Sequence, residues 1–165
     1  MFDTIAGLPL HPLVVHATEV VVPTAALVIA LAALWPLFRM WAGFLPFGLA
    51  VGALVLVPIS TQSGEALQER VKDSSLVSTH ADLAEGLLPW VVVLFLASVV
   101  LLWWSRQERA GEAPRAPKWV AVALVATAVL AAAGTTGQAV LIGHSGATAV
   151  WSQAVGGATA PVASK

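Results

Sequence analysis

The chain has 165 residues, of which 58% are hydrophobic and 10% charged, and its formal net charge at pH 7 is -1. Soluble domains carry about a quarter charged residues, and a water-soluble fold of this size could not bury so much apolar surface. The composition therefore indicates a protein in contact with the lipid bilayer. The chain contains no cysteine, which excludes disulfides, iron–sulfur clusters and thiolate metal sites. A near-zero net charge without basic tracts gives no basis for a nucleic-acid partner.

Four apolar stretches are long enough to cross the hydrocarbon core as α-helices. They cover residues 12–38, 43–60, 86–104 and 119–142. Their continuous hydrophobicity lacks the alternation of a membrane β-barrel, so the sequence predicts an all-α, integral membrane four-helix bundle. We expect a single four-span domain over residues 1–153 and a flexible tail over residues 154–165. The sequence shows no internal repeat strong enough to indicate duplication.

Three shorter patterns predict how the spans begin and end. Thr79, followed three residues later by Asp82, has the form of a capping box at the start of the third helix. Residues 64–73 form a charged pattern that predicts a short amphipathic helix on the membrane surface. Gly143 is expected to end the fourth helix, because glycine is the commonest residue just past a helix C-terminus.

The basic residues predict the orientation of the chain in the membrane. One side of the four spans carries five of them and the other side carries three: Arg39, Arg106, Arg109, Arg115 and Lys118 against Arg70, Lys72 and Lys165. Because the cytoplasmic side of a membrane protein holds the excess of Lys and Arg, we expect both termini outside the cytoplasm. The expected location is a cytoplasmic membrane.

The four histidines, His11, His16, His80 and His144, are all predicted at the outer end of the bundle. Glu19 lies within the first span, three residues after His16 and on the same helix face. Because a charge within a span is costly, Glu19 is expected to point into the bundle and orient an imidazole. The sequence therefore predicts an outward-opening polar pocket, with Thr61, Glu65 and Gln138 as supporting polar groups.

Histidines that meet at one depth of a helical bundle are a common way to build a cofactor or metal site. One candidate is haem b, with His16 and either His80 or His144 as axial ligands and His11 as an alternative ligand. The other is a Zn or Fe ion, held by histidines together with a carboxylate. The candidate metal ligands are His11, His16, Glu19, His80, Asp82 and His144. The sequence leaves open which group is bound, and whether any is bound at all.

Three segments of the chain resemble the bacterial membrane family catalogued as domain of unknown function 2231. They are HPLVVH at residues 11–16, the lone histidine of STHADLAEGLLPW at residues 78–90, and GHSGATAVW at residues 143–151. The resemblance covers residues 10–153, and the matching positions are His11, His16, His80, Gly143, His144 and Gly146. Some relatives are joined to Rieske iron–sulfur domains, so the resemblance implies a haem-linked or quinone-linked redox role. The chain has Ala17-Thr18 where many relatives continue with Phe-Pro.

The leading functional hypothesis is an electron-transfer module with a His-ligated haem b or metal ion, working with a redox partner protein or a quinone. A second hypothesis is a structural or partner subunit whose histidines hydrogen-bond between helices. A third is a metal-responsive or proton-responsive sensor or permease, since histidine titrates near neutral pH. A homo-oligomer would supply further groups for such a pathway. No nucleophile–base constellation or phosphate-binding loop supports stand-alone enzymatic activity.

Overall fold

The computed structural model describes residues 4–5, 8–70, 74–111 and 117–156. Two short antiparallel strands precede the helices, with Thr4 opposite Pro9 and Ile5 opposite Leu8. In chain order the elements are β1 (Thr4–Ile5), β2 (Leu8–Pro9), α1 (Leu10–Leu34), α2 (Pro36–Ala42), α3 (Leu45–Gln68), α4 (Ser75–Glu85), α5 (Leu87–Arg109) and α6 (Lys118–Gly156).

Four helical segments are long and apolar enough to cross a membrane, which confirms the predicted all-helical, four-span architecture. They are α1, α3, the consecutive helices α4 and α5, and α6. α6 runs for 39 residues, which at 1.5 Å per residue exceeds the ~30 Å hydrocarbon core. It ends at Gly156, three residues beyond the predicted end of the folded domain, and residues 157–165 lie outside the described residues.

A proline divides the first predicted span. α1 ends at Leu34, and Trp35 has an extended backbone with φ -125° and ψ 100° before Pro36 starts α2. The ring of a proline disfavours the helical conformation of the residue before it, and its fixed φ suits the first helical position. At the end of α2, Gly43 has φ 56°, a conformation that glycine adopts without the strain of a side chain.

The predicted helix ends need correction. The third membrane segment starts at Ser75 rather than at Thr79, and the Ser74 hydroxyl caps it by accepting a hydrogen bond from the Val77 amide at 3.3 Å. Thr79 lies inside α4, where its hydroxyl donates to the Ser75 carbonyl. Gly143 does not end the fourth helix, because α6 continues through it. Residues 64–68 belong to the end of α3 rather than to a separate surface helix, and residues 71–73 are outside the described part.

The four membrane segments form a closed bundle in which α1 and α5 each pack between α3 and α6. Much of its interior consists of small side chains, including the fully buried Ala25, Ala26, Ala32 and Ala50. Small residues let helix backbones approach closely, which is the main source of helix association in lipid. α4 packs on α6, and α2 packs on α5.

The two halves of the bundle use the same burial pattern, although the sequence shows no convincing repeat. Five of the six buried residues of α5 lie 69 positions after buried residues of α1. The pairs are Thr18 and Leu87, Val22 and Val91, Ala25 and Leu94, Ile29 and Ser98, and Ala32 and Leu101. In the second helix of each half, further buried pairs are separated by 82 residues: Pro46 and Ala128, Ala50 and Ala132, and Ala53 and Thr135. The halves share burial rather than residue identity, so the expectation of no internal repeat is wrong at the level of structure.

Contacts between equivalent positions indicate an approximate twofold axis along the bundle. Arg39 bonds to Glu108 and Arg109 bonds to the Met40 carbonyl, and both pairs are separated by the same 69 residues. Residues related by a twofold axis can touch each other only near that axis. We call this end of the bundle, where α1 and α5 finish, the Arg end. The opposite end, where His11 and His80 lie, is the His end.

Candidate functional site

His11 holds α1 to the end of α3. Its Nδ1 lies 3.1 Å from the Ser60 carbonyl oxygen and 3.2 Å from Ser63 Oγ. A carbonyl oxygen can only accept, so Nδ1 carries the hydrogen and donates it. The imidazole rests on Gly64, where an added Cβ would lie 3.0 Å from the ring Cε1. The glycine therefore provides the space that the ring occupies.

His80 repeats this arrangement in the second half of the chain. Its Nδ1 lies 3.1 Å from the Ile142 carbonyl oxygen and 2.9 Å from Ser145 Oγ. The ring rests on Gly146, where an added Cβ would lie 3.1 Å from Cε1. The two serines are also alike, because Ser63 and Ser145 each donate to the same carbonyl that their histidine uses. We call these two arrangements the histidine clamps.

Both clamps leave the second ring nitrogen available. When Nδ1 carries the hydrogen of a neutral imidazole, Nε2 has the free lone pair that a metal or a proton can take. Among the described residues, no hydrogen-bond partner is found for Nε2 of His11 or of His80. Both rings are only partly exposed. Each half of the bundle thus places one imidazole, held through Nδ1, at the His end.

The other two predicted histidine ligands are not gathered with this pair. His16 is exposed, and its Nδ1 bonds to the Pro12 carbonyl of its own helix rather than to Glu19. His144 is exposed on α6, beside the clamp residue Ser145. Across the part of the chain that the structure describes, no three His, Asp or Glu side chains are grouped as metal ligands.

The predicted carboxylates lie on the surface of the bundle. Glu19, Asp82 and Glu65 are all exposed. The Glu19 carboxylate faces α6, where its Oε1 lies 3.9 Å from a Cβ placed on Gly143. It therefore borders the contact between α1 and α6, and does not orient the His16 imidazole as expected from the sequence.

The predicted supporting groups have local structural partners. The Thr61 hydroxyl donates to the Val57 carbonyl of its own helix at 3.1 Å. The Gln138 side chain donates from Nε2 to the Leu83 carbonyl at 2.7 Å, which ties α6 to the end of α4. The same amide lies against Gly86, at the junction of α4 and α5. Gln138 thus helps to fix the segment that carries His80.

Sequence reasoning missed the residues that orient the clamps. Ser63, Gly64 and Ser145 were not among the candidate site residues, and Gly146 entered only through the family resemblance. The available signal is a Ser-Gly pair near the end of the second span and another just after the fourth predicted span. Each pair supplies the hydroxyl and the open surface that one imidazole needs.

The comparisons with known proteins agree with the membrane architecture. A family model described as "Predicted membrane protein (DUF2231)" matches residues 7–159. No curated protein and no solved structure is similar enough to match the chain. The match includes all four membrane segments and both histidine clamps. The protein therefore belongs to the DUF2231 family of membrane proteins.

Proposed function

We propose that this multi-pass membrane protein binds one His-ligated metal centre between its two halves, through Nε2 of His11 and Nε2 of His80. The observation that supports this is the pair of Nδ1 hydrogen bonds to backbone carbonyls. A histidine that binds a metal commonly donates its other ring N–H to a carbonyl or carboxylate, which fixes the tautomer and the ring orientation. Both clamps meet this requirement with the same chemistry.

The number of gathered ligands favours haem b over a Zn or Fe ion. Haem b needs one or two axial histidines, whereas a protein zinc site uses three or four side chains. Two imidazoles with the same Nδ1–H tautomer lie at the His end, and the described residues contain no group of three or more metal-ligating side chains. When bound, haem would supply a one-electron redox couple. The chain's own part would be to hold the two imidazoles in one tautomer and to keep them in the bundle.

The proposed role is electron transfer at the outer face of the bacterial cytoplasmic membrane, with a redox partner protein or a quinone. Four of the five basic residues assigned to the cytoplasmic side lie in the described part at the Arg end: Arg39, Arg106, Arg109 and Lys118. The positive-inside rule would then place the His end outside. A phosphatase fused to the C-terminus should be active, and cytoplasmic behaviour of the fusion would contradict this orientation.

A structural role is the second candidate, and one observation favours it. Each clamp bond crosses between helices, from α1 to α3 and from α4 to α6. Such bonds contribute about 0.6–2 kcal/mol in membrane bundles without any ligand. In this case the histidines would act as connectors in a non-redox partner subunit.

Optical spectroscopy and metal analysis separate the two candidates. The full chain is purified in detergent, and its visible spectrum is recorded after oxidation and after reduction with dithionite, with haem supplied during expression. We expect a Soret band that shifts on reduction and about one iron per chain. A clean, folded preparation with neither a Soret band nor stoichiometric metal would overturn the proposal and leave the structural role.

A matched pair of double variants shows whether the clamps hold the centre. His11→Ala with His80→Ala should remove the band, because both proposed ligands are lost. His16→Ala with His144→Ala removes the same number of imidazoles from exposed positions and should leave the spectrum unchanged. Loss of the band in the second variant alone would reject the assignment.

A further inference from the structure

A cleft at the Arg end lies far along the bundle from the histidine clamps. It has a volume of about 510 Å³ and opens between the end of the first membrane segment and the start of α6. Apart from Arg39 and Trp104, its lining side chains are apolar. Its apolar walls include Ala33 and Leu34 of α1 and Val125 and Val129 of α6.

One polar group in the wall of the cleft lacks a partner. The indole Nε1 of Trp104 is buried and has no hydrogen-bond partner among the described residues. A buried donor without an acceptor is costly, and tryptophan has only this one polar atom. The nearby Arg39 cannot satisfy it, because a guanidinium is also only a donor. The wall of the cleft therefore holds an unsatisfied donor, which an acceptor in the cleft reaches once the side chains that cover it move.

The Arg39 guanidinium already has hydrogen-bond partners within the protein. Its guanidinium donates to both carboxylate oxygens of Glu108 and to the Ala32 carbonyl, and it lies 5.3 Å from the centre of the Trp104 ring. Because the ion pair with Glu108 has no net charge, Arg39 lines the cleft but attracts an anion only weakly.

A separate positive charge lies about one helical turn before the part of α6 that lines the cleft. Lys118 is the first residue of α6 and is exposed. Val122, Val125 and Val129 follow it at helical spacings of four, seven and eleven residues, which place them on one face of the helix. Eleven residues of helix span about 16 Å, roughly half of the ~30 Å hydrocarbon thickness. These three valines thus form a strip, here called the valine strip, that has the length of one lipid leaflet and a cation at its end.

We propose that this cleft binds one anionic phospholipid from the leaflet at the Arg end. An acyl chain would lie along the valine strip of α6, a glycerol ester carbonyl would accept the Trp104 indole N–H, and the phosphate would lie near Lys118. The order of these groups along the cleft matches their order in a phospholipid. Charge complementarity with Lys118 favours an anionic headgroup over a zwitterionic one.

Native mass spectrometry of the full-length protein tests the proposal. The detergent-solubilised chain is titrated with phosphatidylglycerol and, separately, with phosphatidylcholine that carries the same acyl chains. We expect one tightly bound phosphatidylglycerol and weaker binding of phosphatidylcholine. Equal binding of the two lipids would overturn the proposal, and so would a retained neutral lipid that excludes phosphatidylglycerol.

Three variants locate the binding site. Lys118→Gln should weaken phosphatidylglycerol binding by about five-fold, as expected for one basic residue at the membrane surface, without changing phosphatidylcholine binding. Val125→Trp fills the cleft and should weaken binding of both lipids. Arg106→Gln is the matched control, since this arginine is at the same end but its guanidinium lies over the Phe44 ring, outside the cleft. Equal losses in Arg106→Gln and Lys118→Gln would mean general attraction to the surface and would reject the site.

Discussion

The ion pair at the Arg end provides a direct test of the approximate twofold symmetry. Arg39 and Glu108 occupy equivalent positions in the two halves, and Trp35 and Trp104 are equivalent in the same way. The Arg39 guanidinium bonds to Glu108 at 3.1 Å and 2.5 Å and lies over Trp104. If the halves are equivalent, exchanging the two charges should recreate the pair, with the guanidinium at position 108 close to Trp35.

The cost of breaking this pair follows from its burial. The side chains are 7% and 21% exposed for Arg39 and Glu108, so removing either leaves the other charge largely buried. Such a loss costs about 3–5 kcal/mol in proteins, and the partial exposure of Glu108 favours the lower value. At about 2–4 °C per kcal/mol for a chain of this size, Arg39→Ala should lower the melting temperature by about 6–12 °C. Arg39→Glu should be worse, because it places two carboxylates together.

The melting temperatures of the variants are measured in detergent by thermal unfolding, which is monitored by circular dichroism at a helical wavelength. The double variant Arg39→Glu with Glu108→Arg should recover at least half of the loss seen in the poorer single variant. The recovery is incomplete because the bond from Arg39 to the Ala32 carbonyl is lost. A double variant that is no more stable than Arg39→Glu would refute the equivalence of the two halves.

Two further predictions concern helix contacts. A Cβ at Gly134 would lie 2.4 Å from Cζ3 of Trp90, whereas a Cβ at Gly137, one turn away on α6, meets nothing within 4 Å. Gly134→Ala should therefore destabilise the bundle by about 1–3 kcal/mol, whereas Gly137→Ala should be neutral or stabilising. Equal melting temperatures of these two variants would contradict the prediction. Ser63→Ala and Ser145→Ala should each lower the free energy of unfolding by about 0.5–1.5 kcal/mol. The two losses should be similar, because both hydroxyls bond to a clamp imidazole. A large loss in one variant alone would contradict the equivalence of the two clamps.

The sequence predicts the spans well because apolar length is a property of each segment alone. It predicts helix ends less well, because those depend on single residues within apolar runs. Pro36 interrupts a stretch that is hydrophobic on both sides, and the break appears only in the extended backbone of Trp35. α6 continues past Gly143, because its outer turns pack against α4, a contact that no local pattern encodes.

The sequence predicts the four histidines at one end of the bundle, and the structure leaves His16 and His144 exposed there. His11 and His16 are five residues apart on one helix, which at 3.6 residues per turn separates them by about 140°. The two imidazoles of HPLVVH therefore cannot both enter the same core, and the structure turns His11 inward and His16 outward. That angle was available from spacing. Which of the two faces inward depends on where Ser63 and Gly64 of another helix lie, and spacing does not give this.

The internal repeat was missed for a related reason. Equivalent positions share burial and partner geometry while differing in residue type, as in Ile29 and Ser98, which are both fully buried. Equivalent positions stay buried while their side chains differ in size and polarity, so a comparison of residue types does not reveal the repeat. The repeat becomes visible only when buried positions are compared between helices.

His11 and His80 are proposed here as equivalent ligands of one metal centre, and single variants of these two histidines test that equivalence. The absorption and electron paramagnetic resonance spectra of the haem-loaded protein are compared for the wild type, His11→Ala and His80→Ala. We expect a six-coordinate, low-spin haem in the wild type and the loss of one imidazole ligand in each variant. A wild-type haem with one histidine ligand, or a spectrum unchanged in either variant, would contradict it.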